Sequence, residues 1–471
     1  MKKRIITVVF AIVMVAALAL SACNGGGGGG GGNAPAPAPA PSGGDQAAPS
    51  GDLVEKGYQK DVQKDKINIR GVRSVTGFNG SFEETAFGPF YKMWVDLTNK
   101  DGGLYVKSLD RKVPLEVKIV DDQSDATMTQ QLYERYCVDE KPDWILPPVS
   151  TNALKVVVPI AQQYDYLLIG GEGGAKELEP LMSQYPNFYS ILSYSTTQVP
   201  AFVKLAGELG ITSVYCAYVD DTHGIEYTGF LSEECEKAGI KVLGKDALDL
   251  AGNFNPEVVI NSAKASNADA FVICAYPPQN IPIVQTSAKL DYNPKAFLVG
   301  PGGGYDYFGL VTFGDFTNKA LEGMMAWGAW SEKSSPEAAE FSKMFKDYWI
   351  AEGSFWKKAD GSHNPDGIVY QDWWGNPGYW SVMQVFQQAV ENAGELTPDG
   401  QLNQATLVKY IKDATFDTVL NHNLHFTNNK LEDDMYLGNI TQWQGGKAEV
   451  IDADGRRTAD PIFPKPAWPK N

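Results

Sequence analysis

Histidine and cysteine are scarce in this chain, and both are scattered. His223, His363, His422 and His425 fall in no zinc-binding spacing, which excludes the common structural and catalytic zinc motifs. Of the five cysteines, no two form a Cys-x-x-Cys pair. Cys137, Cys216, Cys235 and Cys274 are irregularly spaced, and Cys216 and Cys274 sit inside apolar strand-like runs. They read as small buried hydrophobes rather than a disulfide framework. Positive charge is also short: 40 Lys and Arg stand against 57 Asp and Glu, for a formal net charge of −17. So acidic a body is a poor partner for nucleic acid or anionic lipid. Beyond residue 22 no run is long and apolar enough to span a membrane.

What is present at the start sets the location. Lys2, Lys3 and Arg4 precede an apolar stretch, residues 5–20, too short for a comfortable span and typical of an export signal. Leu20-Ser21-Ala22-Cys23 resembles a bacterial lipobox. That resemblance implies cleavage of residues 1–22, lipidation of Cys23, and a protein held on the extracytoplasmic side of a membrane without crossing it. Losing residues 1–22 removes three cations and no acid, which leaves −20. Residues 25–32 are all glycine and residues 34–41 alternate Ala and Pro, so residues 23–65 read as a disordered tether. About 40 such residues reach roughly 35 Å.

From residue 67 onward, strand and helix patterns alternate. Strand-like runs occupy residues 67–75, 115–120, 144–146 and 166–169, and again 213–219, 241–247, 270–275 and 296–299. Between them lie helical spacings. One is Phe82, Ala86, Phe90, Met93, Trp94 and Leu97, in which Pro89 is expected to introduce a kink. Ser124 or Asp125 is placed to cap the helix that follows residue 120. Asn255-Pro256-Glu257 is a strong helix start: a cap residue, a proline in the first turn, then an acid favoured by the dipole. Repeated units of this kind imply an α/β fold of two Rossmann-like lobes, each a parallel sheet flanked by helices. Ligands in such folds bind beyond the carboxyl ends of strands. Thr76-Gly77, Ser150-Thr151, residues 170–174, residues 220–224 and residues 276–280 all lie at such ends.

With those stretches in place, the chain resembles the type I periplasmic binding proteins, specifically the branched-chain amino acid-binding family of ABC importers. Val75-Thr76-Gly77, Asn99-Lys100-Asp101-Gly102-Gly103, Asp121-Asp122-Gln123-Ser124-Asp125 and Val149-Ser150-Thr151 carry the likeness. So do Asp220-Asp221-Thr222-His223-Gly224, Asn267-Ala268-Asp269-Ala270 and Thr415-Phe416-Asp417. The resemblance implies a flytrap of two lobes joined by three crossovers, near residues 192–193, 302–305 and 432–436. Lobe one is then 66–192 plus 305–431, lobe two 193–304 plus 432–460, and 461–471 a C-terminal tail. It further implies a monomer that captures a small molecule in the interlobe cleft and delivers it to an ABC permease, without cofactor or metal. A sensor feeding a receptor is the alternative, and a tethered hydrolase built on Ser150, His223 and Asp220 is a third. The hydrolase lacks a Gly-x-Ser-x-Gly elbow at Ser150.

Several candidate ligand residues keep two readings open. Ser150 and Thr151 can cap the helix they precede, or cap it and hold a ligand carboxylate, as the resemblance implies for this loop. Gly170-Gly171-Glu172-Gly173-Gly174 is either a turn with a solvated acid or a backbone approach to the ligand. Its spacing is not the dinucleotide fingerprint, and Glu172 would repel a pyrophosphate. Gly174 stands where relatives carry a hydroxyl. Phe82 aligns with a ligand-touching aromatic but also suits a core. Gly77, Tyr194, His223 and Tyr276 lie at strand ends or crossings, and the lone His223 reads as a loop or cap residue in preference to a metal ligand or base. Gln279 and Asn280 fall where relatives place the carboxylate that meets a ligand amine; Glu172 or Asp221 is then left to supply that charge. Residues 355–380 carry Trp356, Tyr370, Trp373, Trp374, Tyr379 and Trp380, read as interhelix packing or as a rim over the cleft.

Overall fold

A computed structural model describes residues 59–192, 195–300, 317–328, 330–352, 376–452 and 455–470. The expected leader, the lipidated Cys23, most of the tether, Tyr194, and Trp356, Tyr370, Trp373 and Trp374 lie outside the described residues. The alternation read from the sequence is there. Strand β1 (Ile67–Arg73) is followed by the hairpin β2 (Leu104–Val106) and β3 (Arg111–Val113), then by β4 (Leu115–Asp121) and β5 (Trp144–Ile145). Strands β6 (Leu168–Gly170), β7 (Phe188–Ser190), β8 (Ser213–Val219), β9 (Lys241–Leu248), β10 (Ala270–Cys274), β11 (Ala296–Gly300) and β12 (Met325–Trp327) continue the chain. The last four are β13 (Phe426–Thr427), β14 (Lys430–Leu431), β15 (Ile440–Gln444) and β16 (Lys447–Val450).

Among the described residues, three sheets have three or more strands. One runs β4-β1-β5, all parallel, with Ile67 opposite Leu115 and Ile69 opposite Trp144. A second runs β13-β14-β7-β6. The third has seven strands in the order β16-β15-β12-β11-β10-β8-β9. Its centre, β8, β10 and β11, is parallel and almost wholly buried, as expected of strands covered on both faces. One expectation is corrected here. Met325–Trp327 still pairs with Ala296–Gly300 through Leu298 and Val299, so the seven-stranded sheet continues past residues 302–305, where a crossing was expected. The Gly-Pro-Gly signal at residues 300–302 ends a strand without ending the sheet.

Helices fall close to their sequence signals. Asp125 caps α3 (Ala126–Arg135), accepting from the Met128 N–H at 2.7 Å. Asn255 caps α8 (Pro256–Ser266) through the Glu257 N–H at 3.0 Å. Pro89 does not kink a helix: the chain runs through the short α1 (Gly80–Phe82) and a π-turn, Glu83–Phe87, and Pro89 sits in the first turn of α2 (Gly88–Lys100). A proline there removes only an N–H that has no intrahelical acceptor. Trp94, Trp144 and Phe386 make the aromatic centre on that side, with the Trp144 and Phe386 rings stacked at 3.8 Å. The four described cysteines are free and buried, as small apolar residues would be. Residues 461–470 are docked rather than loose: the Trp468 indole N–H donates to the Tyr292 carbonyl at 2.9 Å. Among the described residues no helix is long and apolar enough to cross a membrane.

Candidate functional site

The carboxyl ends of the strands converge on one small cavity. Its wall is formed by Asn79, Phe82, Phe87, Val149, Ser150, Thr151, Glu172, Gly174, His223 and Tyr276, around an empty volume near 320 Å³. That volume includes space open to solvent. Eight of these residues lie before residue 192, at the ends of β1, β5 and β6 or on the first helical turns. His223 and Tyr276 come from the seven-stranded side, at the ends of β8 and β10. Across the cavity the Phe82 and Tyr276 rings meet edge to face at 5.5 Å. A second bridge joins the two sides. Glu226, on α7 (Thr222–Lys237), accepts from the backbone N–H groups of Lys176 at 2.6 Å and Glu177 at 3.2 Å.

Ser150 and Thr151 open α4 (Thr151–Gln163). Ser150 Oγ caps the helix by accepting from the Ala153 N–H at 3.3 Å, and both residues line the cavity. The first-turn N–H groups have no intrahelical acceptor and lie at the positive end of the dipole, which suits an anion. Ser150 stands at φ 98° and ψ 156°, a region that only glycine enters freely. Holding a serine there costs roughly 1–3 kcal/mol. Ser150→Gly is therefore expected to raise the stability of the ligand-free protein by about 1 kcal/mol, since glycine replaces a serine cap at a loss of only a few tenths. The readout is a higher urea midpoint at constant slope; a lower midpoint would mean the strain is not real.

Beside the helix end lies a buried ion network that the sequence reading did not find. Arg73, at the end of β1, is fully buried. Its Nε donates to Glu83 at 2.9 Å, its Nη2 lies 2.8 Å from the same carboxylate, and its Nη1 donates to Glu172 at 2.6 Å. A further bond runs from Nη1 to the Pro147 carbonyl. Phe87, Tyr91 and Tyr379 surround the guanidinium, with ring centres 5.4–5.7 Å from its central carbon. Burial works against the Arg73 charge, but Glu83 and Glu172 outweigh it and hold the cation firmly protonated. Glu172 also accepts from the Gly171 N–H at 2.8 Å. Its burial, only partly offset by Arg73, pushes the carboxyl up to about 7. The signal available in the sequence was a pair of arginines, Arg70 and Arg73, within a strand of a strongly acidic protein.

On the opposite wall, burial holds His223 down to about 3, so the ring is neutral. So weak a base cannot take a serine proton at neutral pH, and Asp220 is exposed while His223 is buried; the Ser150–His223–Asp220 triad does not form a hydrolase site. Tyr276 donates its hydroxyl to Asp221 at 2.8 Å, and Asp221 caps α7 by accepting from the Gly224 N–H at 2.9 Å. Asp221 does not line the cavity itself; burial raises its carboxyl, opposed by those two bonds.

Of the residues expected in the site, Phe82, Ser150, Thr151, Glu172, His223 and Tyr276 are brought together. Gly77, Gly173 and Gln279 are not on the wall. Gly77 packs on Gln123 and Ser124 in a turn at φ 85°, and Gly173 is pressed against Leu154, Leu178 and Thr151. Gln279 lies in the first turn of α9 (Pro277–Lys289), because Pro277 and Pro278 start that helix directly after Tyr276. Its amide donates to the carbonyls of Asp249 at 2.8 Å and Leu250 at 2.9 Å, away from the cavity. Asn280 likewise donates to the Ala275 carbonyl at 2.7 Å. Tyr379 and Trp380 pack among the helices: Tyr379 covers Arg73 and Trp380 meets Phe341. Among the described residues no group of His, Cys, Asp or Glu is placed to hold a metal ion.

Comparison with known proteins gives one consistent result. A family profile described as periplasmic binding protein matches residues 75–447. The leucine-binding protein of Thermotoga maritima superposes with a TM-score of 0.61 at 15% identity, covering 82% of this chain and 96% of that one. An ABC-transporter solute-binding protein of Rhodopseudomonas palustris, solved with 3,4-dihydroxybenzoic acid, gives 0.63 at 15% identity, over 86% and 99%. The branched-chain amino acid transporter substrate-binding protein of Streptococcus pneumoniae, solved with isoleucine, gives 0.63 at 13% identity, over 85% and 100%. At these identities the likeness is one of fold.

Proposed function

The chain belongs to the periplasmic binding protein family, a family of ligand binders rather than enzymes, and from that premise we propose that it is the solute-binding component of an ABC importer. It captures a small carboxylate-bearing molecule, an amino acid or a related acid, and presents it to a membrane permease. The observation that carries this reading is the cavity itself: an anion-ready helix end with two hydroxyls on one wall, His223 and Tyr276 on the other. The fold relatives named above bind an amino acid in one case and an aromatic acid in another, and both ligands carry a carboxylate. Cys23 is proposed as the lipid anchor and residues 23–65 as the tether that lets the body reach the permease.

Residues 66–192 form one proposed lobe, together with the helices from Pro336–Ala351 onward to residue 431. The other lobe is residues 193–304, carried on through Trp327 and completed by 432–460. Ligand contacts from both lobes favour the closed arrangement, and the passages between lobes absorb the movement. A ligand shifts that equilibrium only by binding the closed form better than the open one.

The test is a thermal and urea-unfolding screen of the purified chain against amino acids, aromatic acids, amides and short peptides. A true ligand at a hundred times its dissociation constant adds about 2.7 kcal/mol. Ser150→Ala with Thr151→Ala is expected to remove most of that gain, and to lower ligand-free stability by only about 1 kcal/mol, the worth of a cap. Equal losses in both measurements would leave the two hydroxyls as a cap alone.

A further inference from the structure

We propose that Glu226 is a latch at the rim of the cavity, setting how often the cavity opens without touching what it holds. The latch rests on the two-lobe reading above and is independent of the ligand. Glu226 lies on α7 one turn beyond His223, partly exposed, and is not part of the cavity wall. Its carboxylate reaches across to the turn Lys176–Leu178, whose preceding residue, Ala175, has no side chain able to accept a hydrogen bond. Oε1 takes the Lys176 N–H and Oε2 the Glu177 N–H, the two bonds described above. Oε1 also accepts from the hydroxyl of Ser195, the first residue of α6 (Ser195–Glu208). Ser195 is buried, so its hydroxyl holds the carboxylate in place. The Ser195 N–H meanwhile donates to the carbonyl of Gly174, a wall residue, at 3.1 Å.

The two ends of this contact belong to different hydrophobic clusters. Leu178, in the turn, is buried with Leu154 and Val158 of α4. Tyr227 and Leu231, on α7, are buried with Phe202 of α6 and Val214 of β8. Each end therefore moves with its own side. The contact between them is polar and partly exposed, so the carboxylate and both backbone N–H groups can pass to water when the sides part. Made in the closed arrangement and lost in the open one, it biases the equilibrium toward closure whatever the cavity holds. A hydrogen bond to a charged group at a partly exposed site is worth a factor of about ten rather than thousands. That is enough to set a residence time and too little to hold the cavity shut. α7 then has two separate roles, with His223 on the wall and Glu226 at the rim.

Hydrogen–deuterium exchange and small-angle X-ray scattering of the purified full chain test the latch, with Glu226→Ala, Glu226→Gln and Ser195→Ala beside the wild type. In Glu226→Ala the amides of Lys176 and Glu177 are expected to exchange about tenfold faster. The radius of gyration is expected to rise, and protection to fall on both walls, at residues 149–153 and 276–280, away from the substitution. Glu226→Gln keeps one acceptor oxygen, and Ser195→Ala keeps the carboxylate but frees it. Both should move the same readings in the same direction by less, and they carry the test if Glu226→Ala folds poorly. Any probe that binds in the ligand screen should leave Glu226→Ala about tenfold faster than wild type, with association not slowed. Faster exchange at Lys176 and Glu177 alone, with scattering unchanged, makes Glu226 a local cap and overturns the latch. An unchanged dissociation rate overturns it too, and unchanged exchange at those two amides overturns the contact itself. In each of these cases the two-lobe reading stands. That reading falls separately, if neither the variants nor any probe of the screen alters the scattering.

Discussion

Replacing Arg73 by leucine is expected to destabilise the folded protein by about 3–5 kcal/mol at pH 8. The residue is fully buried, and its loss leaves Glu83 and Glu172 facing each other without the cation that holds them. The penalty is that of uncompensated charge in a low dielectric rather than of lost packing, and this gives the prediction a second edge. The Glu172 carboxyl, already raised by burial, would lose the cation that partly offsets it and would bind a proton more readily as pH falls. Most of the deficit should disappear by pH 5, read as urea midpoints of variant and wild type. The wild type has a weaker version of the same dependence. Its Glu172 carboxyl stands at about 7 when folded, against an ordinary value of 4.5. With the folded value raised, the contribution of Glu172 to stability is complete below the unfolded value and is lost as pH rises through about 7. Changing all three residues together to apolar ones of similar size should recover much of the loss, because the desolvation of the pair vanishes with the pair. A deficit under 1 kcal/mol, or one equal at both pH values, would show that the network is not dry.

The elements of this fold were legible because each is announced locally. Ser213–Val219 is an apolar run bounded by turns and is observed at the length its residues suggest. Asn255 before Pro256 and Glu257 starts a helix by its own chemistry. Six of the ten residues of the cavity wall were legible for the same reason: Ser150, Thr151, Phe82, Glu172, His223 and Tyr276 sit at strand ends or on the first turns after them. The rest depends on pairings that no local pattern records. Arg73 meets Glu83 ten residues away and Glu172 ninety-nine residues away. Gln279 was read into the site because β10 ends just before it; the two prolines that open α9 at once turn it toward the carbonyls of Asp249 and Leu250 instead. The return crossing was misplaced because Gly300-Pro301-Gly302 looks like the end of a lobe, while the pairing of β12 with β11 is visible only in three dimensions.

Two glycines on one helix should respond to alanine in opposite directions. Both lie in α7, whose first turn presents His223 to the cavity. A Cβ on Gly224 would sit 2.1 Å from the Val219 carbonyl oxygen and 2.9 Å from the Val219 amide nitrogen. Neither atom can yield easily: Val219 is itself fully buried at the end of β8, and its carbonyl also accepts from the Asp221 N–H at 2.9 Å. The helix end must move by about an ångström, and it carries with it the Asp221 cap on the Gly224 N–H and, through Asp221, the Tyr276 hydroxyl. Gly224→Ala is expected to destabilise by about 2–3 kcal/mol, from overpacking together with a weakened cap. Ligand affinity should fall at least tenfold, because His223 and Tyr276 are both displaced. Gly229, one and a half turns further on, has nothing within 4 Å of the position a Cβ would take. Gly229→Ala should therefore stabilise the protein by up to about 1 kcal/mol through helix propensity alone, with affinity unchanged. Paired urea midpoints and titrations would settle it: if Gly224→Ala behaved like Gly229→Ala, the close fit of α7 onto β8 would not be what positions this wall of the cavity.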